Sequence, residues 1–96
     1  MRAANGARGE AVAVLGGAER RVCLTLGALA EMETALGCAG VEALVERLRR
    51  PSAGDLRAVL AALLRGGGEA DAEQLAGGAG FAEAAEAVAR GFAASL

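Results

Sequence analysis

The stretch Leu24-Thr-Leu-Gly-Ala-Leu-Ala-Glu-Met-Glu-Thr-Ala-Leu-Gly37 divides the chain into two regimes. Ahead of it the apolar residues tend to alternate, as in a half-buried strand; behind it they recur at the spacing of an amphipathic helix. A chain with this switch starts as sheet and continues as helix. Thr25 is suited to cap the first helix, because its hydroxyl can accept from the free amides of the first turn. Gly37 is suited to end it, because glycine adopts the left-handed conformation without a steric cost. Between them Leu29, Met32 and Leu36 fall on one face, with Glu31 and Glu33 away from its centre.

The rest of the chain reads as one small domain over residues 9–96, behind a flexible stretch at 1–8. Alternating residues from Ala11 to Leu15, then Gly16-Gly17, then Arg20 to Leu24, predict a hairpin over 9–24. Val12, Val14, Val22 and Leu24 are its expected core face. Helices are expected at about 26–36, 41–50, 53–65, 71–76 and 80–94, an α+β architecture that is mostly helical. In the second helix Val41, Leu44, Val45 and Leu48 form the apolar stripe, opposite Arg47, Arg49 and Arg50. Pro51 ends it, and Ser52 with Asp55 three residues on marks the next start. Leu56, Val59, Leu60, Leu63 and Leu64 make the cleanest stripe, so the third helix is expected to be the most buried. Gly66-Gly67-Gly68 lacks the lysine and hydroxyl residue of a phosphate-binding loop and reads only as a connection. In the last helix Phe81, Ala85, Val88 and Phe92 share a narrow face that either fills the domain's own core or is completed by a partner.

Composition removes several kinds of function. Hydrophobic residues make up 54% of the chain, but alanine dominates and only Phe81 and Phe92 are aromatic, so close alanine and glycine packing must replace bulk. All ten basic residues are arginine, as expected of a G+C-rich bacterial genome. The net charge of -2, with acids interspersed among the arginines, gives no basic field for nucleic acid. Cys23 and Cys38 form no CxxC pair and the chain has no histidine, so zinc and thiol-imidazole chemistry lack their groups. Glu31 and Glu33 point about 200° apart on a helix and cannot converge on one substrate. No apolar run reaches membrane-spanning length. The expectation is a non-enzymatic protein of the bacterial cytoplasm, with no cofactor, metal, small-molecule substrate, nucleic acid or membrane partner.

The segment from Val22 to Gly37, with its Leu-Thr-Leu-Gly-Ala-Leu-Ala-Glu core and a short hairpin starting near Arg8-Gly9-Glu10, resembles the small tail proteins of the gene transfer agent family of alphaproteobacteria and their phages. Leu56 to Gly68, Asp71 to Leu75 and an alanine-rich last helix extend the likeness over nearly the whole chain. The resemblance implies a product of a phage-like tail gene cluster, described either as a tail tube component or as a tail assembly chaperone, and brings no catalytic residues. A tube subunit needs long strands in a continuous sheet, whereas this chain offers two short ones. The sequence therefore favours a chaperone that binds tape-measure or tail tube protein, with a structural tail component of the particle as the alternative. A generic helical adaptor, homodimerising through the 41–48 or 81–92 stripe, is the reading outside the family. Candidate partner-binding residues are Phe81, Val88 and Phe92, with Glu31, Glu33, Arg47, Arg49 and Arg50 as charged contacts.

Overall fold

Gly16 and Gly17, at φ of 61° and 81°, form the two-residue turn that fixes the hairpin register. The computed structural model describes residues 9–95, and the stretch 1–8, read above as flexible, lies outside them. Strand β1 (Glu10–Leu15) pairs antiparallel with β2 (Ala18–Cys23), with Leu15 opposite Ala18 and Glu10 opposite Cys23. Directly opposed residues share a face, so Val22, opposite Ala11, sides with Ala13 and Leu15 rather than with Val12 and Val14. That corrects the expected core face. Ala13, Leu15 and Val22 are buried and Leu24 packs beside them, whereas Val14 is 53% exposed and Val12 only half-buried.

Helix α1 (Leu26–Leu36) begins where Thr25 Oγ1 accepts from the Ala28 amide at 3.0 Å and ends at Gly37, whose φ is 68°. It buries Ala28, Met32 and Leu36. Helix α2 (Val41–Arg47) is shorter than its apolar stripe suggested. The Arg49 amide donates to the Glu46 carbonyl in a tighter turn, because Arg50 precedes Pro51 and is disfavoured in helical geometry. Only Leu44 of the stripe is fully buried, and Val41 and Val45 are each 41% exposed.

Helix α3 (Ala53–Gly66) is the centre of the domain. A capping box starts it: the Asp55 amide donates to Ser52 Oγ at 3.0 Å and the Ser52 amide reaches back to Asp55 Oδ2. Every residue of its expected stripe is buried, together with Ala61 and Ala62. Helices α1, α4 (Ala72–Gly78) and α5 (Phe81–Ala94) and strand β2 all pack on it. The fourth helix runs to Gly78 rather than stopping near 76, held by the burial of Ala72 and Ala76.

Helix α5 uses a different face from the expected one. It docks through Ala84, Ala87, Val88 and Gly91, while Phe81 is 65% exposed and Phe92 half-buried. Small residues let the helix axis approach closely: a Cβ at Gly91 would stand 3.0 Å from Leu63 Cδ1. Proximity in this chain outweighs aromatic bulk.

Candidate functional site

Among the described residues no cluster of acidic, cysteine or histidine side chains could hold a metal ion, and no helix is long and apolar enough to cross a membrane. Cys23 is buried, Cys38 half-buried, and no disulfide joins them.

Three of the residues singled out in the sequence come together. Arg49, Val88 and Phe92 line an open apolar groove of about 420 Å³ between α2 and α5, with Val45, Leu48 and Leu56. Its origin lies in the two preceding corrections. Where α2 stops, Val45 is exposed and Leu48 only half-buried, and because α5 docks mainly through its small residues, Phe92 packs on the edge of the core and borders the gap.

Phe81 lies elsewhere, beside Arg57, Gly77 and Ala79 in a separate shallow depression. The charged candidates are dispersed. Glu31 Oε1 accepts from Arg65 Nε at 2.8 Å and Nη2 at 2.7 Å, which raises the Arg65 pKa above its ordinary value. Glu33 Oε2 accepts from the Gly40 amide at 2.7 Å and closes the turn between α1 and α2. Arg49 meets Glu46 at 3.2 Å, and Arg50 stands exposed with no ion pair among the described residues.

Arg47 is an internal tie. Its Nη1 donates to the Leu36 carbonyl at 2.9 Å, and Nε and Nη2 donate to the two Asp55 oxygens at 2.9 and 3.2 Å. One guanidinium thereby joins the end of α1, its own helix and the start of α3. Partial desolvation of Asp55 opposes its charged form, but the Arg47 hydrogen bonds, the Ser52 amide and the Arg47 charge outweigh it and lower the pKa below 3.8. A depressed carboxylate contributes stability that is complete above its unfolded pKa and lost as pH falls through the folded one. The thermal midpoint of the wild-type protein should therefore fall more steeply below pH 3.8 than that of Asp55→Asn, which lacks the titrating group. Parallel acid melting curves would contradict the assignment.

The features missed in the sequence are Gly66, Gly67 and Glu69. They lie against β2, where a Cβ on either glycine would stand 2.2 Å from a carbonyl oxygen, of Cys23 for Gly66 and of Arg21 for Gly67. Glu69 Oε2 accepts from the Arg21 amide at 3.0 Å. The glycine run is thus a cover for the strand edge as well as a connection. Only the absence of a side chain at consecutive positions hinted at so close an approach.

No curated protein and no solved structure matches the chain. A family model described as "Phage tail tube protein, GTA-gp10" matches residues 8–96, taking in every element of the fold. With its hairpin and five helices encompassed by that match, the chain belongs to the gene transfer agent gp10 family of phage tail tube proteins.

Proposed function

We propose that this protein is a non-enzymatic structural component of a phage-like tail, associated with the tail tube and acting by binding other tail proteins. The observation that carries this reading is the family match over residues 8–96, which speaks for the tube alternative over the chaperone favoured from sequence. The α2/α5 groove, with Val88, Phe92 and Arg49, is the proposed contact for a tail partner. An apolar floor with a charged rim suits such an interface.

The chaperone reading retains one supporting observation. The sheet among the described residues has only two strands of six residues each, little from which to build a continuous tube wall. Both readings are served by the same surface, and they differ in whether the protein stays in the particle.

Deleting the gene should leave heads without complete tails in negative-stain electron microscopy, and the wild-type gene should restore them. Val45→Glu places a charge on the exposed rim of the groove, so it should fold normally yet restore tails poorly. Normal tails in the deletion strain would overturn the assignment to the tail. Full rescue by Val45→Glu would move the partner contact away from the groove.

A further inference from the structure

The two edges of the hairpin differ. Arg21 directs its backbone groups away from β1, where Glu69 takes the amide and Gly67 lies over the carbonyl. In an antiparallel ladder the residue opposite such a position also points its backbone groups outward, on the other side. Val12 stands opposite Arg21 and Val14 opposite Glu19, so both present an N–H and a C=O along the outer edge of β1. Among the described residues nothing donates to or accepts from those groups. Natural sheets blunt free edges with lysine, proline or bulges. Glu-Ala-Val-Ala-Val-Leu has neither residue, and its register is unbroken.

We propose that this edge is a homodimer interface, in which two β1 strands pair antiparallel about a two-fold axis to form a four-stranded sheet. Extended backbone satisfies the whole row of N–H and C=O groups in register. A second β1 does so self-complementarily: with Ala13 facing Ala13 of the second copy, Val12 of each chain exchanges both bonds with Val14 of the other. That register also sets valine against valine on the outer face, a favourable cross-strand pair.

A groove of about 500 Å³ beside the edge is lined by Val12, Val14, Glu19, Glu83, Glu86 and Arg90. Gly9 lies against Ala94 and Ser95, so β1 runs opposite to α5, with Arg90 toward the strand's start and Glu83 and Glu19 toward its turn. Arg90 pairs with Glu86 of its own helix at 2.9 Å, and the two-fold brings Glu19 and Glu83 of one copy beside that pair in the other, where the guanidinium can bridge to them. Gly66 to Glu69 cover β2 at Arg21 and Cys23, which leaves β1 the more open edge among the described residues and favours closure at two copies. This inference is independent of the tail assignment.

The test is sedimentation equilibrium of the full chain with residue-resolved amide exchange. A dimer is expected whose Val12 and Val14 amides gain protection as concentration rises. Val14→Pro removes an N–H that the hairpin does not use, and Val14→Lys replaces a cross-strand valine pair with a charged edge residue set against Val12 of the second copy. Each should keep the monomer's circular dichroism, and Val14→Lys should raise the dissociation constant at least about tenfold. If Val14→Pro fails to fold, Val14→Lys decides. A wild-type monomer at all concentrations, or a dimer that Val14→Lys leaves intact with both amides unprotected, overturns the proposal.

Discussion

Replacing Gly67 by alanine should destabilise the domain by about 3 kcal/mol or more, the upper range for overpacking. The new Cβ would stand 2.2 Å from the Arg21 carbonyl oxygen, 2.5 Å from its carbon and 3.0 Å from the Val22 nitrogen. All three are backbone atoms of a paired strand, so no rotamer change relieves the clash. Either α3 or β2 must move, and either movement strains the Arg21 to Glu69 hydrogen bond. Gly67 itself has an ordinary φ of -82°, so the cost is steric and not conformational. In a domain of this size the thermal midpoint should drop by roughly 12 °C or more. Gly54→Ala is the control. A Cβ there meets only Ser52 Oγ at 3.9 Å, in a helix where alanine is preferred, so it should be neutral or stabilising. Similar melting temperatures for the two variants would refute the close approach of α3 to β2.

Leu60→Ala should cost about 2–5 kcal/mol, the range for emptying a buried leucine site. Leu60 is 0% exposed on the helix against which α1, α4, α5 and β2 pack, and so few large side chains are present that no neighbour can fill the void. Total stabilities are on the order of 5–15 kcal/mol, so this one change removes a substantial part of the margin. Leu26→Ala, at 83% exposure, should alter stability by less than about 0.5 kcal/mol. Chemical denaturation of the pair checks both, and equal midpoints would show that α3 is not the organising helix.

Much of this architecture follows from local chemistry. Thr25, Gly37, Ser52 and Pro51 mark helix ends through caps and forbidden conformations, and the α3 stripe stands out because leucine and valine contrast with their neighbours. Where that contrast fails, sequence misleads. In α5 alanine occupies several faces, so two phenylalanines looked like the docking stripe, while the face that can approach Leu63 is the one with Gly91. In β1 the valines looked inward by size, yet the two-residue turn sets Val22 against Ala11 and turns Val12 and Val14 outward.

Candidate contacts divide along the same line. Val88, Phe92 and Arg49 converge because packing left a gap between α2 and α5. Arg47, Glu31 and Glu33 were indistinguishable in sequence from solvent-facing charges, since their partners Asp55, Arg65 and Gly40 come from other elements. Charge spacing within one helix does not reveal what lies across from it. The edge cover by Gly66 to Glu69 depends on contacts about forty-eight positions apart, between Arg21 and Glu69. No local rule specifies them.

On the reading proposed above, the protein stays in the finished tail. Quantitative mass spectrometry of purified particles, with isotope-labelled peptides of this chain and of a tail tube protein as standards, tests it most directly. A fixed copy number per particle that persists through repeated gradient purification is the predicted result. Abundant protein in producing cells, bound to tail proteins but missing from finished particles, would contradict it and establish a chaperone instead.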